Sequence, residues 1–363
     1  MHSSTSSSNP AEVVWQRPAP SLGMAGWIAV ALLAMLIGGW ETWVRVAQQV
    51  EPSYRNSDGL WAEQRRRIDH GEGDGWVAIG SSRMLFNLQL PAWEALTGQR
   101  PIQLAMEGTS PVGVLEQLAD DPDFTGKLLV GVAPGLFFSG YEYRAAAIEH
   151  YQTETPAQWF GQQVSLLIEP WLAFYNFDYA LPTMIRRQPW PARDGVETEI
   201  EVRKISNMER DRNTRMWGRV VDDPDYQALA RHIWAQNWVP LAELPEPVRA
   251  RILESRNKQI QRAAAAVAKL HRRDVPVVFV QMPYTGHYAK SEPDIAPREL
   301  TWDQLIEETD APGLHFMDHV EMQGYDLPEW SHMSASEADR FTARFQPLVE
   351  RTVAAHYPRE ESP

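Results

Sequence analysis

Two stretches of the sequence carry residue types that can perform acyl transfer. The first is Gly80-Ser81-Ser82, which follows a short run of apolar, β-favouring residues. The second lies near the C-terminus, where Glu329 stands three residues before His332. A serine hydroxyl becomes a nucleophile when a histidine removes its proton, and a carboxylate can orient that histidine through its other ring nitrogen. The two stretches together predict a serine nucleophile with a histidine base.

The first stretch has the pattern of a strand that ends in a sharp turn. The carboxyl ends of parallel strands form the edge at which α/β sheets bind their ligands. Ser82 would lie at a strand-to-helix turn, where backbone N–H groups can stabilise an oxyanion. Capping of a helix by Ser81 or Ser82 is the alternative for this stretch taken alone.

The second stretch follows the last predicted strand and precedes the last predicted helix. His332 is therefore expected at the same sheet edge as Ser82, and we predict a hydrogen bond of roughly 3 Å between them, or a somewhat longer distance in a resting site. Either Glu329 or Asp326 could face the far nitrogen of the imidazole. Taken alone, His332 could equally be a surface or capping residue.

Short apolar runs alternate with helical patterns through much of the chain, which indicates an α/β fold with a parallel sheet. The predicted strands are 77–79, 102–105, 127–132, 275–281 and 313–317, and the predicted helices are 91–98, 112–118, 254–271, 302–309 and 334–356.

Over 75–138 and from 275 to the end, these motifs resemble the SGNH (GDSL-like) hydrolase superfamily. More narrowly, they resemble its membrane-anchored bacterial branch, which includes the DltD and alginate-acetylation proteins. The resemblance implies a flavodoxin-like three-layer domain. It also implies that Ser82 is the nucleophile, that Gly108 and Ser82 contribute oxyanion amides, and that His332 is the base. Glu329 stands where the family usually has Asp, so Asp326 stays an alternative.

The sequence departs from the family pattern in its third block, which normally supplies an asparagine to the oxyanion hole. The matching turn reads Gly131-Val132-Ala133-Pro134. Loss of one such donor typically lowers the rate about 100-fold or more. Arg83 either binds a substrate anion or pairs with a carboxylate at the sheet edge.

The N-terminal part is predicted to anchor the chain. Residues 1–21 are rich in Ser and Pro and are expected to be a disordered tail. Residues 22–44 are almost wholly apolar, with tryptophans toward the ends, and are interpreted as an uncleaved transmembrane signal anchor. A cleaved signal peptide and a buried helix are the alternatives. Residues 45–75 are expected to form a linker with a helix, and the later domain is expected outside the cytoplasm.

A mainly helical, aromatic-rich insertion is predicted at 139–250, between the two parts of the SGNH-like domain (76–138 and 251–357). It could shape an acceptor site, lie on the membrane or pack against a membrane partner; a second small core is the structural alternative.

The composition excludes several classes of protein function. The formal net charge of −14 argues against nucleic-acid binding. The lack of cysteine excludes disulfides and thiolate catalysis. No ligand spacing or Gly-rich motif indicates a metal or a cofactor, so we assign none.

Three functions fit these features. The first is an O-acyltransferase, with acetyl as the expected acyl group, that acts on an extracytoplasmic polysaccharide or cell-wall polymer with a multi-spanning membrane acyltransferase as partner. The second is an esterase with the same site. The third is a non-catalytic assembly factor. The expected location is the bacterial inner membrane, with the main domain in the periplasm.

Overall fold

A computed structural model of the chain describes residues 22–188, 200–236 and 238–358. The predicted disordered tail at 1–21 lies outside these residues. The described chain forms two compact units, which divide after Val50.

The first unit is a helix with apolar residues on all sides. Helix α1 (Leu22–Thr42) continues as a π-helical turn, Trp43–Ala47. Over Gly23–Ala47, 25 residues, the mean hydropathy is 1.8 and the protein buries none of the apolar window. By length and composition this helix could cross a bilayer. Its exposure excludes the buried-helix alternative.

The second unit contains a parallel sheet of five strands in the order β2-β1-β3-β6-β7, and a two-stranded antiparallel hairpin, β4-β5. Numbered along the chain without the hairpin, the sheet order becomes 2-1-3-4-5, which is the flavodoxin-like order. The predicted α/β class is confirmed. The strands are β1 Trp76–Ile79, β2 Ile102–Gln103, β3 Lys127–Gly131, β4 Ser206–Met208, β5 Thr214–Met216, β6 Val277–Gln281 and β7 Gly313–His315.

Strand side chains alternate between two apolar cores, one on each side of the sheet. Val77 and Ile79 belong to one core, and Trp76 and Ala78 belong to the other. Helices cover both faces, which gives three layers. The remaining helices are α2 Asp58–Arg67, α3 Ser82–Asn87, α4 Leu90–Thr97, α5 Val112–Asp120, α6 Pro134–Phe137, α7 Ala146–Thr153, α8 Pro156–Ile168, α9 Leu181–Arg186, α10 Gly218–Asp222, α11 Pro224–Ala235, α12 Glu246–His271, α13 Tyr288–Ile295, α14 Trp302–Thr309 and α15 Ala335–His356.

The segment before β1 is more than the predicted linker. Helix α2 buries Trp61 completely, and the indole Nε1 donates to Leu104 O at 2.9 Å. Arg65 is also buried, and its guanidinium pairs with Asp69 and Asp121. The segment from Glu51 is therefore part of the second unit.

The described part of 139–250 is largely helical, as expected, but it contains the β4-β5 hairpin. The hairpin turn carries Arg212 with a φ of 68°. Its buried guanidinium donates to Gln103 O and Ala105 O at the end of β2. These strands have only three residues each, and contacts with distant parts of the chain help to hold them, so periodicity could not reveal them.

Candidate functional site

The chain turns sharply after β1, and Gly80 allows this turn. A Cβ at position 80 would lie 2.7 Å from Met84 Cβ and 3.1 Å from Gly131 Cα. Such approaches exclude any side chain. Met106 N donates to Gly80 O at 2.9 Å. The turns after β1 and β2 therefore lie side by side at the carboxyl edge of the sheet.

Two serines begin α3, and they have different environments. Ser81 occupies the N-cap position and is buried, but its side chain makes no capping hydrogen bond. Ser82 is the first helical residue and is partly exposed. Within the described parts of the chain, the Ser82 hydroxyl is in no hydrogen bond. A capping role therefore does not account for Ser82.

Three consecutive residues of the loop after β7 contact α3. Ser331 Oγ accepts a hydrogen bond from Arg83 Nε at 3.2 Å. The His332 ring stacks on Phe86, with centroids 4.3 Å apart. The backbone N–H of the next residue, Met333, donates to Asn87 Oδ1 at 3.0 Å. The helix that begins with Ser82 thus also positions the loop that carries His332.

The Glu329 carboxylate is fully buried and accepts three N–H groups. Oε1 accepts from His332 Nδ1 at 2.9 Å and from His332 N at 2.6 Å, and Oε2 accepts from Trp234 Nε1. Burial alone would raise the pKa of Glu329, but the positive charge of His332 and these three donors hold it below its usual value. Glu329 is therefore ionised at neutral pH.

The partner of Nδ1 determines the tautomer of His332. An ionised carboxylate only accepts hydrogen bonds, so Nδ1 carries the proton in the neutral ring and Nε2 carries the lone pair. Nε2 is buried and has no hydrogen-bond partner among the described residues. The predicted hydrogen bond from Ser82 Oγ is thus not formed in this structure. Catalytic hydrogen bonds are often long before substrate binds, and Ser82 Oγ can move by rotation about a single bond.

The other two charged candidates lie differently. Asp326 is exposed, and among the described residues its one hydrogen bond is the one that its backbone N–H donates to Glu337 at 3.3 Å. Of the two carboxylates considered for the histidine, Glu329 is the one in contact.

Arg83 is buried in a bidentate pair with Glu292, at 3.1 and 2.6 Å. Of the two roles expected for Arg83, this pair corresponds to the structural one: the guanidinium connects α3 to α13.

The candidate oxyanion donors are backbone amides. Gly108 has a φ of 58°, and a Cβ there would lie 3.5 Å from the Tyr143 ring. In the described parts of the chain, the N–H groups of Ser82 and Gly108 are in no hydrogen bond. Ala133, in the turn Gly131-Val132-Ala133-Pro134 that follows β3, is buried. Its methyl group supplies no donor.

Metal ligation has no support within the described residues, where no group of three or more His, Asp or Glu side chains could hold an ion. Asp318, which follows β7, forms a bidentate pair with Arg298 at 2.9 and 2.7 Å.

Sequence reasoning did not identify Trp234, Phe86 and Asn87. Phe86 and Asn87 lie one turn beyond Ser82, so an assigned helix at 82–87 would have placed them near the nucleophile. Trp234 belongs to α11 in the predicted insertion, and no local pattern connects it to Glu329.

No family model and no curated protein matches the chain. Among solved structures, one from Desulfitobacterium hafniense DCB-2, assigned to the G-D-S-L family of lipolytic proteins, matches with 12% identity and a TM-score of 0.33. The match covers 76% of this chain and 98% of that chain. The chain is thus distantly similar to a G-D-S-L family structure, and the chemistry proposed for it rests on its own residues.

Proposed function

We propose that this chain is a membrane-anchored, SGNH-type serine O-acyltransferase, with acetyl as the expected acyl group. The observation that carries the proposal is the buried Glu329–His332 pair, stacked on the helix that Ser82 begins. A polar pair of this kind is costly to bury, and its unbonded Nε2 has no structural role. Acyl transfer through a serine uses both features.

In the first half-reaction, His332 Nε2 takes the proton of Ser82 Oγ as the oxygen attacks the acyl carbonyl. The imidazolium that forms is stabilised by Glu329, which stays ionised. The tetrahedral intermediate collapses, and Nε2 returns the proton to the leaving group. In the second half-reaction, Nε2 removes a proton from an acceptor hydroxyl. That oxygen attacks acyl-Ser82, and Ser82 regains its proton.

The oxyanion of each intermediate would be bound by the amides of Ser82 and Gly108. A third donor is lacking at Ala133, which lowers the expected rate by about 100-fold or more relative to a complete hole. Slow turnover suits an enzyme whose acceptor is held nearby, because proximity raises the effective concentration of the reacting groups.

The envelope setting follows from α1 and from the resemblance to the DltD and alginate-acetylation proteins. We propose a single span in the bacterial inner membrane, with the second unit in the periplasm. The acceptor is then an extracytoplasmic polysaccharide or cell-wall polymer. A multi-spanning membrane acyltransferase would supply the acyl group.

An esterase with the same residues is the second candidate, because water could replace the acceptor hydroxyl at partly exposed Ser82. A non-catalytic assembly factor is the third, favoured by Ala133 and by the missing Ser82–His332 hydrogen bond.

One experiment separates the three functions. The full-length protein is incubated with an activated acetyl ester, with and without an oligosaccharide acceptor. Mass spectrometry then locates acetyl-Ser82, and chromatography measures acetate and acetylated sugar. Acetylated sugar supports the transferase, and acetate alone supports the esterase. If no acetyl-Ser82 forms and the product levels match those of His332→Ala, the assembly factor is the better assignment.

A further inference from the structure

Helix α8 exposes large apolar side chains, whereas several of its polar side chains face the protein. Its inward side carries Leu166, which is buried in the apolar core, together with two polar residues: Gln162 accepts from Ser57 Oγ at 2.9 Å, and Ser165 donates to Glu169 at 2.6 Å. Glu169, just after the helix, is buried and accepts from Arg55 N at 2.8 Å. Surface helices of soluble proteins normally place such residues toward water. Here they pack against the protein.

The outward face of α8 is apolar. Phe160, Val164 and Leu167 are spaced four and three residues apart, so they share one side of the helix. Leu167 is 73% exposed and Phe160 is 64% exposed, and Trp159 flanks them at 50%. We call these four residues the α8 face. Large exposed apolar patches mark surfaces that bind another apolar surface.

The α8 face is not needed to form the helix. Thr155 and Gln158 make a capping box, and Pro156 occupies the first turn. Such caps stabilise a helix start without tertiary contacts. The exposed apolar side chains thus have no role in local folding that would explain them.

The chemistry of the α8 face favours lipid over a protein partner. Helix α8 contains no charged residue. Protein docking surfaces usually have a polar rim with hydrogen-bonding groups, and α8 offers no ionic group for one. Aromatic rings, in contrast, are enriched at the level of lipid headgroups. With a formal net charge of −14, attraction to anionic lipid does not contribute.

Chain length keeps α8 close to the bilayer that α1 would span. Five residues lie between Ala47 and Ser53, so the two Cα atoms are about 22 Å apart at most when the chain is extended. Ser53 Oγ accepts from Asn176 Nδ2 at 3.3 Å, and Arg55 N reaches Glu169 at the end of α8. The protein surface around α8 therefore cannot move far from the membrane, whatever the orientation of the second unit.

We propose that the α8 face docks on the lipid bilayer, with its apolar side chains at the boundary between headgroups and acyl chains. This inference rests on the membrane anchor of the proposed function, but not on its acyl transfer. Docking would hold the second unit against the membrane instead of leaving it to rotate on its tether. Because the contact is apolar, it should be insensitive to salt.

The lack of cysteine allows a direct test with single-cysteine variants of the full chain. Leu167→Cys reports on the α8 face and Ala31→Cys on α1. Glu307→Cys is the control, since α14 precedes β7 at the sheet edge opposite β2. Each is labelled with an environment-sensitive fluorophore in phosphatidylcholine nanodiscs, and quenching by doxyl groups near the head of the acyl chain is measured.

We expect quenching at Leu167 several-fold stronger than at Glu307, unchanged by added salt and reduced by Phe160→Gln in the same chain. Quenching at Ala31 with none at Leu167 would overturn docking while the anchor stands. Quenching at neither site would overturn both. Energy transfer between Leu167 labels on two copies, without lipid quenching, would make a second copy the occupant and would also overturn the proposal.

Discussion

The ring of His332 stacks on the ring of Phe86, with centroids 4.3 Å apart and an interplanar angle of 29°. Phe86 lies four residues after Ser82 in α3, so the two side chains share a helix face and their Cβ atoms are about 5–6 Å apart. The imidazole is thus held within one helical turn of the candidate nucleophile, although Nε2 is not bonded to it. The short helix α3 therefore positions both Ser82, which it contains, and His332, which packs on it.

Ser82→Ala is expected to abolish acyl transfer, with a loss of at least about 10⁴-fold in kcat. Stability should change by less than about 0.5 kcal/mol, because the partly exposed hydroxyl is in no hydrogen bond. Steady-state kinetics and thermal unfolding measure the two quantities. A serine-directed phosphonate should label the wild-type protein, but neither Ser82→Ala nor His332→Ala. Ser81→Ala is the matched control and should keep both activity and labelling. Normal acylation by Ser82→Ala would favour the assembly factor.

Glu329→Gln should lower kcat about 10³- to 10⁴-fold, because the amide cannot stabilise the imidazolium as a carboxylate does. Its NH₂ group would also face one of the three N–H donors now bound by Glu329. Circular dichroism checks that the variant folds. Asp326→Asn should be indistinguishable from wild type in the same assay. A larger loss in Asp326→Asn than in Glu329→Gln would reverse the assignment of the orienting carboxylate.

Trp234→Phe removes one N–H donor from Glu329 and keeps an aromatic ring. The pKa of Glu329 should rise toward its ordinary value, since that donor helps to lower it. A depressed carboxyl pKa stabilises the fold above the unfolded pKa of about 4.3, and this contribution is lost as pH falls. We therefore expect Trp234→Phe to gain less stability than the wild type between about pH 4 and about pH 7, and kcat to fall about 10-fold. Urea unfolding at the two pH values measures the first effect, and an equal gain in both proteins would contradict this role of Trp234.

His315 should make the fold sensitive to acid. Burial, together with the nearby charge of Arg298, lowers the pKa of His315 from 6.5 to about 4. Met317 N donates to His315 Nδ1 at 3.1 Å, so protonation there would break this bond. The unfolded state binds more protons in this window, and stability should fall by on the order of 2 kcal/mol as pH drops from about 6.5 to about 4.

His315→Asn is the matched variant for that test, because its amide oxygen can accept the same N–H without titrating in this range. Urea unfolding of both proteins at about pH 7 and about pH 5 measures the difference. The wild type should lose more stability than the variant. Equal losses would assign the acid sensitivity to other groups.

Reporter fusions test the topology. A periplasmic reporter fused after Tyr357 should be active, and a cytoplasmic reporter at the same place should be inactive, because one apolar helix long enough to cross the membrane precedes the second unit. Fusions before Leu22 should give the opposite pattern. Cytoplasmic activity of the C-terminal fusion would contradict both the topology and the polymer acceptor.

The main sheet could be predicted because each of its strands is a short apolar run between turn signals. Val77 and Val277 illustrate this: both are buried in parallel strands, where neither face meets water. The β4-β5 hairpin has no such pattern. Its contacts are long-range, as Arg212 shows: the carbonyl partners of this side chain lie more than a hundred positions earlier in the chain.

The sequence could predict contacts within the candidate site only between residues that are close together in the chain. The spacing of Glu329 and His332 made their contact one of two alternatives, because a carboxylate three residues away on a loop can reach the imidazole. Sequence alone could not choose between Asp326 and Glu329 as the partner of His332. The two carboxylates differ in burial, and burial is a property of the whole fold. Trp234 lies almost a hundred residues from Glu329 and could be found only in three dimensions.

The hydrogen bond from Trp234 to Glu329 limits how this protein can be truncated and how its sequence can evolve. Arg231, on the same helix, also donates to Pro328 O at 2.7 Å, so α11 braces the histidine loop at two points. A shortened chain without 139–250 would leave the buried carboxylate short of one donor and the loop unsupported. Residues 139–250 and the loop that carries His332 must therefore change together in evolution. A chimera that takes 139–250 from a relative should also need that relative's histidine loop.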